Sequence, residues 1–318
     1  MTRRTVFLAL AGLTLATVFM VPVAETQQAT ALRLMTGPQG GSWIPLGGAI
    51  AELVQKEVPG VSITVQPGAG IANVKAVEAG KADLGFGNAN STADAIAGRM
   101  PFDGEAKNVR HVLTLYNQYF QMVAPADSGI KSVADFKGKR LAVQPVGNTG
   151  EQMTRDVLKQ YGLTYKDMGR VNHVSYTDAV ELIKNRQADV FTLITTIPAS
   201  SVMDLATGRA VRVIGVEQDK VKALSKENAG YTRLVIPKGT YAGQDGEVIT
   251  TGTVTHIVAS AKLPDDLVQK ITTVMVKNQS TLAGVVKDIG KTSPKDMGRD
   301  IGLPMHPGAQ KAFAALTK

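Results

Sequence analysis

The chain has 318 residues, of which 44% are hydrophobic and 19% charged, and its formal net charge is +8 at pH 7. A chain of this length favours two domains over one. The lack of cysteine excludes disulfides, thiolate metal sites, cysteine nucleophiles and a lipid-modified cysteine anchor. Because the basic residues are scattered, without an arginine-rich run, we expect no nucleic-acid partner; a basic surface attracts small anions equally well.

Residues 1–31 have the composition of a secretory signal peptide. Two arginines precede an apolar run, and residues 29–31 form a small-residue cleavage site, with a second candidate at Ala24. The apolar run is shorter than the ~20 residues of a typical membrane span. We therefore expect export, a mature chain that begins near Leu32 and a periplasmic location, with a retained single-span anchor as the alternative.

The first half of the mature chain repeats an apolar strand, a loop of small residues and a helix, which is the pattern of an α/β fold. In the first loop, Gly41 lets a bound group approach the backbone, and Ser42 is expected to cap a helix that begins at Trp43. Helix amino ends attract anions, and loops at the carboxyl ends of strands bind ligands in open sheets. We expect all three residues to bind ligand, with the Trp43 ring covering an apolar part of it; a simple tight turn and a buried tryptophan are the alternatives.

Two further loops follow the next two predicted strands and are rich in glycine and amide side chains. The second loop opens a helix that ends at Gly80, and Ser91 in the third loop is expected to cap another helix. The candidate ligand-binding residues of these loops are Gly70, Ile71, Asn73, Asn88, Asn90 and Ser91. Their side chains supply hydrogen-bond donors and acceptors but no nucleophile for covalent catalysis.

The same layout returns in the second half of the chain. Residues 139–162 predict a strand, a tight loop and a helix in which Thr149 begins a capping box. Residues 170–176 predict the next strand, followed by a helix that Thr177 caps. The candidate ligand-binding residues of this half are Gly147, Asn148, Thr149, Thr195 and Thr196.

Two long β-rich runs, near residues 116–126 and 250–259, indicate strands that cross between two lobes. We predict an α/β fold with two lobes joined by a two-strand hinge. Lobe I comprises residues 32–120 and 253–318, including the C-terminal helices, and lobe II comprises residues 121–252.

The sequence argues against an enzyme. Its four histidines lack metal-ligand spacing, and the signatures of serine hydrolases, zinc proteases and phosphate-binding loops are missing. The segment GAGIAN follows a strand as a dinucleotide-binding loop would, but Asn73 occupies the third glycine position and Asn88 ends the strand where an acid would bind ribose. We therefore expect no catalytic residue, no metal and no cofactor; an exported structural protein without a ligand is a further alternative.

The chain resembles the TAXI-type solute-binding proteins of tripartite ATP-independent periplasmic (TRAP) transporters over essentially its whole mature length. Six segments carry the resemblance, in the family's order: TGPQGGSWIPLGGAIAELVQK, PGAGIANVKAVEAGKADLGFGNA, QPVGNTGE, KNRQADVFTLITTIPASSVMDLA, KGTYAGQD and MHPGA. The sequence departs from the family at the presumed cleft. Trp43 stands where tyrosine is commoner, Gly70 where serine is usual, and Thr195-Thr196 where Gly-Thr is usual.

The resemblance implies a periplasmic-binding-protein-like fold of class II with a cleft for a small molecule. It also implies capture of glutamate, 2-oxoglutarate or a related dicarboxylate, and delivery of this carboxylate to a TRAP permease driven by an ion gradient. We expect a monomer whose lobes close on the ligand. The alternative is the substrate-binding protein of an ATP-driven importer for another small organic anion, which shares the fold.

Overall fold

The computed structural model describes residues 30–316, so the predicted signal peptide lies almost wholly outside the described residues. The strands are β1 Thr30–Met35, β2 Val61–Gln66, β3 Leu84–Asn88, β4 Val109–Pro125, β5 Arg140–Val143, β6 Arg170–His173, β7 Val190–Thr195, β8 Val211–Ile214, β9 Thr232–Ile236 and β10 Val248–Ser260. The helices are α1 Trp43–Glu57, α2 Gly70–Glu78, α3 Ala89–Ile96, α4 Thr149–Gln160, α5 Tyr176–Lys184, α6 Ser200–Gly208, α7 Gln218–Glu227, α8 Asp265–Lys277, α9 Gln279–Val285, α10 Pro294–Met297 and α11 Pro307–Leu316.

The strands form one continuous mixed sheet in the order β2-β1-β3-β10-β4-β7-β5-β6, with β8 paired to β4 and β9 to β10. In one half β1 pairs in parallel with β2 and β3, and in the other β5 pairs in parallel with β6 and β7. Parallel pairs need crossover connections, which the helices supply. The long antiparallel strands β4 and β10 run through both halves. The structure therefore shows the predicted α/β fold of two lobes joined by two crossing strands.

Each lobe has its own hydrophobic core. The lobe I core packs Phe86 against the C-terminal helices, which contribute Ile271 and Phe313. The lobe II sheet is covered on both faces, by one cluster around Phe136 and another around Phe191. Full burial of one such side chain contributes about 1.5–3 kcal/mol, so each lobe has a substantial apolar core of its own.

The crossing strands pass from one core to the other within a few residues. On β4, Tyr116 packs in the lobe I core and Phe120 in the lobe II core. On β10, Ile249 packs against the lobe II core and Ile257 lies in the lobe I core. The pairing between these strands shifts register on both sides of residues 256–257, where a bend in the ladder is easiest. The exact lobe boundaries proposed from the sequence stay a prediction.

The first strand begins before the predicted mature terminus. Thr30 and Ala31 pair in parallel with Val61 and Ser62, and cleavage after residue 31 would remove them from the sheet. The signal peptide and its cleavage position stay a prediction. Between residues 30 and 316, no helix combines the length and the apolar composition needed to cross a membrane.

Helices α1 and α3 in lobe I begin close to the predicted loops, but neither has a side-chain cap at its amino end. Helix α1 begins at Trp43 as predicted, yet the backbone of Ser42 is already helical (φ −73°, ψ −16°), and its hydroxyl bonds to Tyr116 instead of capping. Helix α3 begins after Asn88, whose backbone is extended, so Ser91 lies within the helix. The predictions that Ser42 and Ser91 cap helices are therefore wrong.

In lobe II, the cap of α4 is one residue earlier than predicted. The Asn148 backbone is extended, and its Oδ1 accepts a hydrogen bond from the Gly150 N–H at 3.1 Å. Thr149 is the first residue of the helix, so the predicted capping box on it is wrong. The short Asn side chain reaches the free N–H two residues on, as an N-cap requires.

Helix α5 also begins earlier than predicted, and this moves one aromatic residue. Strand β6 ends at His173, and the Ser175 hydroxyl accepts from the Asp178 N–H at 3.2 Å. The predicted cap at Thr177 is wrong, because that residue lies inside the helix. Tyr176 consequently belongs to the first turn of α5 and not to a strand.

Candidate functional site

A small, partly open cavity lies between the two lobes where strands end and helices begin. Its lining residues are Pro38, Gly41, Ser42, Trp43 and Asn88 from lobe I, Gln118 from β4, and Asn148, Tyr176, Ile194 and Thr195 from lobe II. Six of these are sequence candidates: Gly41, Ser42, Trp43, Asn88, Asn148 and Thr195. The structure thus brings candidates from both lobes to one site.

Trp43 is part of both the cavity wall and the lobe I core. It is 6% exposed, and its ring stacks on Phe86 with centroids 5.2 Å apart and planes at 21°. Gly37 packs against the same ring, because a Cβ there would lie 3.2 Å from Cε3 of Trp43. The buried indole Nε1 lies near the Tyr116 hydroxyl but has no acceptor in hydrogen-bonding geometry. The ring therefore packs as core, and its N–H remains a free donor.

Side chains from the hinge strand β4 form the floor of the cavity. The Tyr116 and Ser42 hydroxyl oxygens are 3.2 Å apart, and burial raises the pKa of Tyr116 to about 12. Asn88 donates from Nδ2 to Oε1 of Gln118 at 3.3 Å. These contacts connect the first and third ligand loops of lobe I directly to the hinge.

Three candidates in lobe I, Gly70, Ile71 and Asn73, do not line the cavity. Asn73 is fully buried; its Oδ1 accepts from the Ala69 N–H at 3.0 Å, and its Nδ2 donates to the carbonyls of Thr36 and Phe86 at 2.7 and 2.9 Å. The Asn73 side chain therefore connects the loop after β1, the loop before α2 and strand β3.

The neighbours of Asn73 on α2 also have structural surroundings. Ile71 is buried in a lobe I cluster around Phe102. Gly70 packs against the side chains of Asn88 and Thr149, and a Cβ at Gly70 would overlap the Thr149 hydroxyl. Glycine at this position therefore permits the two lobes to approach each other.

The remaining candidates form contacts between the lobes. The hydroxyl oxygens of Ser91 and Thr149 are 2.6 Å apart. The Ala72 N–H donates to the Gly147 carbonyl at 3.1 Å, and the Asn90 carbonyl accepts from Nδ2 of lobe II residue Asn228 at 3.1 Å. Thr196 lies outside the cavity lining; its carbonyl accepts from Gln121 at 3.3 Å. Ser91, Gly147, Asn90 and Thr149 thus hold the lobes together around the cavity.

Four lining residues were missed by the sequence analysis: Pro38, Gln118, Tyr176 and Ile194. The Tyr176 hydroxyl donates to the Ile194 carbonyl at 2.7 Å, and burial raises the pKa of Tyr176. A signal for Tyr176 existed, since Ser175 and Asp178 have capping-box spacing that places Tyr176 at the first helical position. Trp43 occupies the same position in α1, so the two lobes present equivalent aromatic residues to the cavity.

The buried histidines lie in lobe I, away from the cavity lining. Nδ1 of His111 is 3.0 Å from Nδ1 of His256, whose Nε2 is 2.8 Å from the Thr92 hydroxyl. Burial lowers the pKa of His111 to about 4 and that of His256 well below its usual value. Among residues 30–316, no three His, Cys, Asp or Glu side chains are arranged to hold a metal ion.

Solved structures of other proteins share this fold. One is the alkanesulfonate-binding protein SsuA from Xanthomonas axonopodis pv. citri bound to MOPS, with 18% identity over 90% of this chain and 84% of that chain and a TM-score of 0.51. Another is PhnD1 from Prochlorococcus marinus in complex with methylphosphonate, with 12% identity over 82% of this chain and 91% of that chain and a TM-score of 0.54. These matches confirm the periplasmic-binding-protein-like fold.

The chain belongs to the NMT1-like family, whose model matches residues 34–314. This match covers both lobes and all the cavity-lining residues. The closer resemblance to TAXI-type proteins stays a prediction.

Proposed function

We propose that this protein is an exported, non-enzymatic solute-binding protein. It captures a small organic anion, foremost a carboxylate, in the interlobe cavity and delivers it to a membrane permease. The observation that carries this proposal is the cavity itself, whose wall combines hydrogen-bonding side chains from both lobes and from the hinge strand. The family match supports it, as do the structural neighbours, an alkanesulfonate-binding protein and a protein in complex with methylphosphonate.

Capture proceeds by closure of the lobes on the ligand. Lobe I supplies Ser42, Trp43 and Asn88, and lobe II adds Asn148 and Thr195 only when the two lobes meet. A ligand that contacts both lobes binds the closed form more tightly than the open form and shifts the population towards closure. The closed form then offers the permease a surface to which both lobes contribute.

Two kinds of permease are candidates, a TRAP permease and an ATP-driven importer, and different observations support each. The TAXI resemblance supports a TRAP permease driven by an ion gradient and a ligand such as glutamate or 2-oxoglutarate. The structural neighbours support the other organic anion of the alternative, an ATP-driven importer, because one neighbour is an alkanesulfonate-binding protein and another is in complex with methylphosphonate. A gene for an ATPase beside this one would favour the importer, and a gene for a large multi-span permease would favour TRAP.

Native mass spectrometry of the mature protein, exported and purified without denaturation, tests the proposal. We expect one small molecule bound to each chain. A ligand at a thousandfold excess over its dissociation constant stabilises the fold by about 4 kcal/mol, so a thermal-shift screen of metabolites should identify it independently. If neither approach finds a small-molecule ligand, the proposed function is wrong.

A further inference from the structure

Every loop and strand segment that meets at the cleft is free of charged side chains, although 19% of the chain is charged. The uncharged segments, which contain no Asp, Glu, Lys, Arg or His, are residues 36–44, 67–73, 86–92, 114–121, 144–150 and 192–197. The cavity lining named above draws all ten of its residues from these segments and α5. A charged group on the ligand therefore meets no oppositely charged side chain in the wall.

Helix amino ends give the cavity its electrostatic character. Helices α1, α3, α4 and α5 each begin beside a residue of the lining: Trp43, Asn88, Asn148 and Tyr176. An α-helix has roughly half a positive charge at its amino end. The first turns of α1 and α3 contain no acidic residue, whereas α4 has Glu151, which pairs with Arg155, and α5 has Asp178. The amino ends of α1 and α3 therefore favour one negative charge on the occupant of the cavity.

An unpaired donor in the wall points to an acceptor on that occupant. Trp43 lines the cavity and is nine-tenths buried; its indole Nε1 lies beside the Tyr116 hydroxyl but has no acceptor in hydrogen-bonding geometry. Buried polar groups in native proteins are normally satisfied. A ligand oxygen beside the amino end of α1 supplies the missing acceptor.

We propose, on the basis of the function proposed above, that the ligand is a monoanion with one carboxylate or other oxoanion group and no ammonium group, and that the Trp43 indole N–H selects it. A second carboxylate would be buried without a cation, and an ammonium group would be buried without a carboxylate. Both are costly once closure of the lobes removes the ligand from water. Dicarboxylates and α-amino acids, the ligands that the TAXI resemblance implies, are therefore disfavoured by this cavity.

Matched compounds that differ only in charge test the proposal by calorimetry at pH 7. A metabolite screen first finds the best scaffold, and its monoacid, diacid, neutral amide and α-amino acid forms are then compared. For a five-carbon scaffold these forms are glutaramate, glutarate, glutaramide and glutamine, which is glutaramate with an added α-ammonium group. We expect the monoanion to bind at least tenfold more tightly than the other three. Matched pairs such as butanoate and propane-1-sulfonate distinguish a carboxylate from a sulfonate as the oxoanion.

The outcomes separate this proposal from the proposed function. If no compound binds, the proposed function fails and this proposal fails with it. If a diacid, an amino acid or a neutral compound is the tightest ligand, the protein is a solute-binding protein but the monoanion proposal is overturned. Tightest binding by a monoanion supports both.

Isosteric replacement of the indole N–H tests the role of Trp43 without disturbing its packing. Trp43 is the only tryptophan of the chain, so a tryptophan auxotroph can replace it with benzothienylalanine, which has sulfur in place of N–H. The matched control is 5-fluorotryptophan, which keeps the N–H. We expect a tenfold or greater loss of affinity for the monoanion with the first analogue and less than a threefold change with the second. Equal affinity for both proteins would overturn the role of the indole.

Discussion

At the residue scale, Trp43 combines core packing with a place in the cavity wall. Its ring stacks on Phe86 and is almost fully buried, so Trp43→Ala should reduce the free energy of unfolding by about 3–5 kcal/mol in urea denaturation. Its emission should also change when ligand binds, because the acceptor alters the surroundings of the indole N–H. Constant emission at calorimetric saturation would contradict contact between the indole and the ligand.

Asn73 and Asn88 both belong to the predicted ligand loops of lobe I, but truncating them to alanine should have different effects on stability and on ligand affinity. Asn73 bonds to the backbone of two loops and of strand β3, so Asn73→Ala removes the buried donor to the Thr36 and Phe86 carbonyls and should cost about 2–4 kcal/mol of unfolding free energy. Asn88 lines the cavity and makes one long side-chain bond to Gln118. Asn88→Ala should therefore weaken ligand binding more than it weakens the fold.

Denaturation and calorimetry on both variants measure this difference. The expected pattern is a large loss of stability for Asn73→Ala and a large loss of affinity for Asn88→Ala. The reverse pattern would show that Asn73 contacts the ligand and that Asn88 is structural.

At the element scale, the loop between α7 and β9 forms an interlobe contact remote from the cavity lining. Nδ2 of Asn228 donates to the Asn90 carbonyl at 3.1 Å and to Oδ1 of Asp94 at 2.9 Å. Gly230 packs against the backbone of Asn90, where an added Cβ would overlap main-chain atoms. This loop therefore fits the start of α3 only because residue 230 has no side chain.

Gly230→Ala should consequently destabilise the closed form while leaving each lobe folded. We expect ligand affinity to fall by a factor of about ten, since ~1.4 kcal/mol of strain in the closed form reduces affinity by that factor. Gly246→Ala is the matched control, because an added Cβ there meets no atom within 4 Å. Equal affinities for the two variants would show that this contact does not take part in closure.

At the scale of the whole molecule, the periodicity of the sequence predicts the architecture better than it predicts the partners of individual side chains. Alternating apolar strands and amphipathic helices reveal both lobes, and loops after strands locate six lining residues. Asn73 and Asn88 both follow this pattern, but only the packed backbone decides which side chain faces the cavity. Gln118 was missed because the hinge strand β4 is buried on both faces. Its sequence of polar and apolar residues therefore does not indicate which side chains face the cavity. Tyr176 was missed because an incorrect cap moved the start of α5.

The closing motion of the whole molecule can be tested with a disulfide, because the chain has no cysteine of its own. The hydroxyl oxygens of Ser91 and Thr149 lie 2.6 Å apart across the lobe interface, close to the 2.05 Å of a sulfur–sulfur bond. The double variant Ser91→Cys and Thr149→Cys should therefore lock the closed form when it is oxidised. Small-angle scattering should give the oxidised variant the radius of gyration of the ligand-saturated natural protein, smaller than that of the ligand-free protein.

The locked protein should also lose ligand exchange, because the cavity opens only when the lobes separate. Ligand added to the oxidised variant is expected to bind far more slowly than to the natural protein, and a reducing agent should restore the rate. Ser91→Cys alone is the control for loss of the hydroxyl pair, since it removes that contact without forming a crosslink. Fast exchange in a fully oxidised double variant, or one radius of gyration for free and saturated natural protein, would exclude capture by closure and require a rigid site open to solvent.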